Sequence, residues 1–491
     1  MKQKFIKYKL FEQKLIIHIL FIVFLAACTV GPDYNRPNFS MADQFKETEY
    51  KNWKIAEPKD EKDKGKWWEV FSDPELNEYE EQLIINNQTI ASSLAQYEQA
   101  LALVNQAEAG YLPSVTGSGS AARQRTQATS NISPTYSTNY STSLSASWIP
   151  DLWGSVKRTV EANKANAEAS LAQLANVQLT AQASLAQYYF QLRTADINQK
   201  LLDETLENYK RTLELTERKR IAGTATLADF LQAEAQVSQA EALALDNNII
   251  RQQYEHAIAI LLGKNPSEFS ITAKQIKMQP PEIPSIIPSE LLERRPDIAQ
   301  AERLVAQANA QIGVAISGYF PTLNLNSSAG YTNSNNTIIN LFSFPALFWS
   351  LGTSLSQSIF DGGLQEAKVT AAIANYKSIV AQYRQTILVA LQNVEDNLVA
   401  STYLKREEQA QKNAALLAQQ SESLTVQSYE VGTQTYSNVL TAQINTYTAL
   451  KNANNVLGRR MITAVSLIAA LGGSWKNELS SDSITKKNKS N

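Results

Sequence analysis

The chain has 491 residues, with 45 Lys and Arg against 47 Asp and Glu, two His and one Cys. This near-balance of charge argues against an electrostatic nucleic-acid or anionic-surface binder, and a lone cysteine excludes any intrachain disulfide. Charged residues make up only 19%, and the long runs of Ala, Gln, Asn, Ser, Thr and Leu suit long helices packed through small residues better than a compact greasy core.

Residues 1–27 read as a signal peptide. Lys2, Lys4, Lys7, Lys9 and Lys14 precede the apolar run Leu15–Phe24, and small residues follow it. A retained anchor is disfavoured, because the run falls short of the ~20 residues a membrane span needs. Cys28 follows Leu25-Ala26-Ala27 as the cysteine of a bacterial lipobox does, so residue 28 is expected to carry acyl chains and to begin the mature protein. Without the leader the chain holds 40 basic and 46 acidic residues, a net charge near −6.

Residues 28–80 form a polar, lipidated lead-in ending in Trp67-Trp68-Glu69-Val70-Phe71, an aromatic cluster expected to pack against something larger. A first helix is predicted over 75–110, stopping at Gly110 and Pro113. Residues 114–125 and 136–149 then switch to Ser, Thr, Gly and Tyr, with alternation at Leu144, Ala146 and Trp148; this period of two predicts a β-hairpin. From Val156 to Ala222 the pattern is helical, and no proline occurs between Pro150 and Pro266. Leu202, Leu206, Tyr209 and Leu213 follow a coiled-coil spacing, as do Leu185, Tyr188 and Leu192. Some 65 residues at about 1.5 Å each predict a rod roughly 100 Å long. Gly223 breaks it, and Leu227–Leu262 returns antiparallel.

Pro280, Pro281, Pro284 and Pro288 mark a stiff linker over 266–296, after which the plan repeats. A helix is predicted from Ile298 to near Gly318, strands at Thr322–Thr332 and Phe348–Phe360, a long helix from Leu364 to about Val431, a turn at Gly432 and a return helix to Leu471. Residues 476–491 read as a disordered tail. Gly110-Tyr111-Leu112-Pro113 returns as Gly318-Tyr319-Phe320-Pro321 at an offset of 208, and Gly223-Thr224 returns as Gly432-Thr433 at 209. Such a period is domain-sized, far longer than a solenoid repeat. Residues 81–265 and 297–475 are therefore two copies of one unit.

Four strands cannot close a barrel alone, and open edges invite pairing with another chain. Strands of about a dozen residues are long enough to cross a bilayer when tilted. In lipid only a closed barrel satisfies them, so several chains are expected to share one. A soluble sheet on a helical stalk is the alternative.

The Leu-Ala-Ala-Cys28 start, Trp67-Trp68…Phe71…Asp73-Pro74-Glu75-Leu76, Leu291-Leu292-Glu293-Arg294-Arg295-Pro296-Asp297-Ile298, Phe360-Asp361-Gly362-Gly363 and the paired Gly-Thr tips occur in the order of a known family. Over nearly all of its mature length the chain resembles an outer-membrane efflux lipoprotein of the OprM/NodT class, related to TolC. The resemblance implies an α+β membrane protein: a homotrimer whose twelve-stranded β-barrel, four strands per protomer, continues as a long α-helical periplasmic barrel. It also implies a lipid-anchored place in the outer membrane and partnership with a periplasmic adaptor and an inner-membrane transporter of the RND type.

The family closes its tunnel where the helix pairs turn, here Gly223–Glu234 and Gly432–Gln443. Asp229 is the candidate for an acidic ring around the trimer axis, or else a solvated helix-start acid favoured by the macrodipole. Tyr436 stands at the family's tip tyrosine, with Ser437 and Asn438 beside it. The chain departs from many relatives at Ser437, where they are apolar, and at Thr441, where they carry aspartate. The gate is therefore expected to rest on hydrogen bonds from Tyr436 and Asn438. Gly223, Thr224, Gly432 and Thr433 would form the tip turns and meet the adaptor. No catalytic residues, metal site or cofactor are expected: the one mature histidine, His256, reads as a surface or seam residue, and no Gly-rich phosphate loop follows a strand. Three functions remain open: a gated exit duct for drugs or other small molecules, a duct for type I protein secretion, and a pore-less coiled-coil lipoprotein.

Overall fold

The computed structural model of the protein describes residues 29–37, 66–125, 127, 135–276, 278–281, 295–333 and 338–473. Cys28, the signal peptide, the Glu293-Arg294 pair and the tail lie outside the described residues. The elements are α1 (Pro74–Asn86), α2 (Gln88–Glu108), β1 (Ser114–Arg125), β2 (Tyr136–Trp148), α3 (Ser155–Ile221), α4 (Leu227–Leu261), α5 (Pro296–Ser317), β3 (Thr322–Asn333), β4 (Leu347–Ser356), α6 (Leu364–Glu430) and α7 (Tyr436–Ala470). Helices α3 and α6 are each 67 residues, and α4 and α7 each 35. The duplication expected from the landmarks thus recurs in element lengths.

Two compact units arise, and each draws on both halves of the sequence. One contains residues 1–38, 97–170 and 301–383, the other residues 39–96, 171–300 and 384–491. Four helices contribute residues to both. The compact units therefore cut across the repeats.

The first unit holds an antiparallel sheet of order β1-β2-β3-β4. Each hairpin pairs within its own repeat, and β2 joins β3 through Leu144↔Ala329 and its neighbours. Both hairpins lead into a long helix through the same device. Asp151 accepts the Val156 and Lys157 amides at 3.0 and 2.8 Å, and Asp361 accepts the Gly363 and Gln365 amides, both at 2.9 Å. These carboxylates occupy donors that a helix start leaves unpaired. Capping by Asp361 also explains why β4 stops at Ser356, four residues before the expected Phe360: the intervening chain turns toward a helix start. The segment after Cys28 is fastened to this unit. Val30 N donates to Trp153 O at 3.1 Å, Arg158 reaches Gly31 O and Asp33, and Asn309 donates to Pro32 O at 2.9 Å. Gly31 lies so close to Gly313 that a Cβ would sit 2.4 Å from its Cα, so this fastening requires glycine.

The second unit has the aromatic-rich core that Trp67-Trp68 predicts. Trp67, Trp68, Leu76, Leu83, Leu185, Tyr189, Phe190, Leu192, Ile258, Met461 and Val465 form one buried cluster. The expected single helix over 75–110 is corrected here: it breaks at Asn87, which is extended. Its side chain accepts the Thr89 and Ile90 amides at 3.0 Å and donates to Leu261 O at 2.8 Å. One amide side chain therefore caps α2 and ties it to the end of α4. Nearby, the fully buried Arg193 bonds Asp196 and Glu75, and Arg251 bonds Asp196 and Glu255. Arg193 also donates to Thr272 O, and the Glu255 carboxylate accepts the Ile271 amide at 2.9 Å. The network pins the strap after α4 against the helices, and within it Arg193 and Arg251 each meet carboxylates, as burial demands.

Candidate functional site

Two places combine chemistry with position: the two faces of the sheet, and the two turns between long helices. On one face of the sheet the pairing places Val115 beside Ala146, Gly117 beside Leu144 and Ala329 beside Trp349, with Trp148, Leu325, Tyr140, Tyr331, Leu347, Leu351 and Leu355 on the same side. Trp349 and Leu351 are 76% and 79% exposed. The other face is a field of hydroxyls and amides. Ser118 and Ser143 hydroxyls meet at 2.9 Å, as do Ser120 and Ser141 at 2.8 Å and Ser328 and Ser350 at 2.8 Å, while Ser147 donates to Asn324 at 3.2 Å. Period-two alternation sorts the side chains in this way. The sheet is greasy on one side and wet on the other, with β1 and β4 as its edges.

At the tips, Gly223 and Gly432 have φ of 75° and 85°, where other residues are strained, and a Cβ on either would meet nothing within 4 Å. The turns share their closing bonds. Thr224 N donates to Lys219 O and Thr433 N to Ser428 O, both at 2.8 Å; the hydroxyls of Thr224 and Thr433 bond the same carbonyls at 3.1 and 3.0 Å. Each is a helix end closed by a left-handed glycine.

The remaining candidates separate. Asp229 forms a capping box with Thr226: its carboxylate accepts the Thr226 amide at 2.9 Å and hydroxyl at 2.8 Å, and its amide donates to Thr226 Oγ1 at 3.1 Å. Tyr436 is 2% exposed and packs with Ala233, Tyr429 and Val439, its ring edge-on to Tyr429 at 6.0 Å. Burial raises the Tyr436 phenol above its ordinary pKa, helped by Tyr429, Tyr209 and Asp229, so the ring stays neutral. Asp229 likewise adds to the raised pKa of Tyr429, which burial dominates. The structure thus brings Asp229, Tyr429 and Tyr436 into one neighbourhood. Ser437 and Asn438 are exposed, and Asn438 bonds Gln434 one turn back. His256 is also exposed.

Sequence reasoning missed the residues that lock the tips together. Gln443 donates to Thr212 Oγ1 at 2.9 Å, Tyr429 to Thr216 Oγ1 at 3.2 Å, and Lys219 to Glu430 O at 3.2 Å with its ammonium 4.8 Å from the Tyr429 ring centre. Thr216 continues the coiled-coil seam one step past Leu213, and Thr212 lies one turn before Thr216; their polarity gives them the look of solvent-facing positions. Among the described residues no helix is long and apolar enough to cross a membrane, and no acid, His or Cys cluster is arranged to hold a metal ion.

Comparison with known proteins gives this geometry a family. The family model for outer membrane efflux proteins matches residues 80–264 and 287–473, one match in each half. The chain belongs to the outer membrane efflux protein family. It is 30% identical to the outer membrane protein OprJ of Pseudomonas aeruginosa over 471 residues, covering 93% of this chain and 95% of OprJ. It is 31% identical to nodulation protein T of Rhizobium leguminosarum bv. trifolii, over 86% of this chain and 89% of that protein. Among solved structures, the outer-membrane channel OprN superposes with a TM-score of 0.83 at 29% identity, covering 91% of this chain and all of that one. The open-state MtrE channel of Neisseria gonorrhoeae superposes with a TM-score of 0.79 at 25% identity. The chain has a TolC-like fold and is an outer-membrane efflux channel component, which sets aside the pore-less lipoprotein.

Proposed function

We propose that three copies of this chain close one twelve-stranded barrel and act as the exit duct of a tripartite efflux pump. The observation that carries this reading is the two-faced sheet. Edge strands β1 and β4 present unpaired backbone groups, which lipid cannot satisfy, so only closure with further copies makes the sheet viable in a bilayer. Closure puts the apolar face against lipid and lines the lumen with the Ser, Thr and Asn face. A lumen of small neutral hydroxyls and amides discriminates little between cargoes and leaves selection to the pump.

Small-molecule cargo is supported by the names of relatives: OpmQ is a pyoverdine export protein and CusC belongs to a cation efflux system. An inner-membrane transporter of the RND type supplies the energy, a periplasmic adaptor docks at the tip turns, and the chain itself catalyses no reaction. Cys28 carries the lipid anchor. Its neighbours support this, since Thr29 accepts from Lys157 at 3.1 Å and Val30 bonds Trp153, just past the end of β2; acyl chains on Cys28 would therefore emerge where the sheet leaves the membrane. The periplasmic gate is formed by Asp229, Tyr436, Ser437 and Asn438, with Asp229 facing its two symmetry copies.

The test is purification in detergent followed by reconstitution into planar bilayers. The reading expects a trimer and discrete single-channel conductance steps. A stable monomer, or trimers that never conduct even after replacement of Asp229 and Tyr436, would refute it.

A further inference from the structure

We propose that Arg123 and Arg125 form a binding site, on the lipid-facing side of the barrel, for the phosphate groups of outer-leaflet lipid. The inference rests on the barrel reading above. These are the only two charged residues in the four strands. They lie two apart on β1, so both share the face of Val115, Leu144 and Trp349 rather than the hydroxyl face, and both flank one ring: their guanidinium carbons lie 5.6 and 5.7 Å from the Tyr136 centroid.

No acid is at hand to neutralise them. Residues 114–148 and 322–356, which span both hairpins and their loops, contain no Asp or Glu. A neighbouring protomer's β4, brought beside β1 by barrel closure, therefore offers no carboxylate either. Cation–π contact with Tyr136 orients the two guanidinium groups and leaves their donors free for an anion.

Depth selects the occupant. β1 leaves helix α2 at Ser114, and nine residues later, at ~3.3 Å each, Arg123 lies about 30 Å along the strand. At the usual barrel tilt that is about 23 Å of height, roughly the thickness of the apolar band of an outer-membrane barrel. An arginine facing lipid is costly at mid-bilayer and nearly free at the interface. The pair therefore stands at the headgroup level remote from the helices, with Tyr136 as its interfacial aromatic. Guanidinium forks match phosphate oxygens bidentately, and three protomers supply six such groups.

The test measures retention of diphosphoryl lipid A by the purified full-length trimer, using native mass spectrometry from detergent micelles. Its arms are dephosphorylated lipid A, millimolar inorganic phosphate as competitor, and the variants Arg123→Gln/Arg125→Gln and Arg123→Lys/Arg125→Lys. Wild type is expected to bind diphosphoryl lipid A more tightly than the Gln variant by about fivefold per arginine removed. The Lys variant should fall between wild type and the Gln variant, because it keeps the charge but loses the bidentate fork, and the dephosphorylated lipid should not distinguish the proteins. Equal affinity of wild type and Gln variant would overturn the proposal. Full displacement by inorganic phosphate would overturn it too, marking a free-anion site. If the double variant fails to assemble, Arg125→Gln alone is read against the same fivefold step. Conductance separates the two readings: trimers that conduct but show no arginine-dependent binding sink this inference alone, whereas a wild type that neither trimerises nor conducts sinks both.

Discussion

The two helical tips have one backbone and two different loads. Gly223 and Gly432 close the same turn with matching hydrogen bonds, yet the helices that follow start differently. Thr226 caps α4 with a full box closed by Asp229, whereas Thr435 makes no side-chain cap on α7. Leu227, the first residue of α4, is 60% exposed, and its counterpart Tyr436 is buried. The pair Glu217–Arg220 in the first tip is replaced by Val426 and Tyr429 in the second. One tip is therefore held by polar bonds local to its own turn. The other is held by burying aromatic rings in a cluster shared with the first. Duplication preserved the device that turns the chain, and divergence changed what holds each turn.

The largest expected break in this comparison is Tyr436→Ala. Removing a buried aromatic ring costs about 3 kcal/mol or more, and hydrogen exchange should show faster opening around α7's first turns and the Tyr429 end of α6. Leu227→Ala at the matching position should change exchange little, since its side chain is mostly in solvent. Comparable losses at both would erase the asymmetry.

Alanine at Gly223 or Gly432 should destabilise its turn by about 1–2 kcal/mol, because a left-handed residue with a Cβ is strained. Here the tips should respond alike, read from exchange of the Thr224 and Thr433 amides. A large difference would mean that the turns are not equivalent in solution.

Thr226→Ala should cost about 1 kcal/mol by removing an N-cap, and Thr435→Ala almost nothing. Exchange at the Asp229 and Asn438 amides reports each. The smallest effect is acid sensitivity. Glu217 is held below its ordinary value of 4.5 by its bond to Arg220, so its stabilising contribution is present above that value. It is lost as pH falls through the lowered one. Mild acid should loosen the first tip slightly and leave the Val426–Tyr429 side unchanged; Glu217→Gln should abolish the difference.

Much of this architecture is legible in the sequence, and the residues explain which parts are not. The proline-free tracts and the Gly-Thr landmarks locate α3, α4, α6 and α7 to within a residue or two, because helix breakers act locally. The hairpins are legible from alternation, clearly in β2 and β4. In β1, Gly117 and Gly119 stand on the apolar face where larger side chains would mark it, and the signal is weak. The break at Asn87 is hidden because asparagine is tolerated in a polar helix, and only its bond to Leu261 O makes it a cap. Arg193 and Arg251 look like any surface arginines until Asp196, Glu75 and Glu255 meet them in space. The tip candidates follow from the family resemblance, whereas burial of Tyr436 and the bonds of Thr212, Thr216 and Gln443 depend on packing between distant helices.

Single-channel recording of the reconstituted trimer, comparing wild type with Asp229→Asn and Tyr436→Ala, tests the central claim most directly. Asn at 229 copies the chemistry of the second tip and removes only the charge. A gated duct predicts brief, infrequent openings in wild type, weaker block by multivalent cations in Asp229→Asn, and long openings of similar conductance in Tyr436→Ala. Gating and cation block identical in all three proteins would contradict the assignment of the gate to these tips.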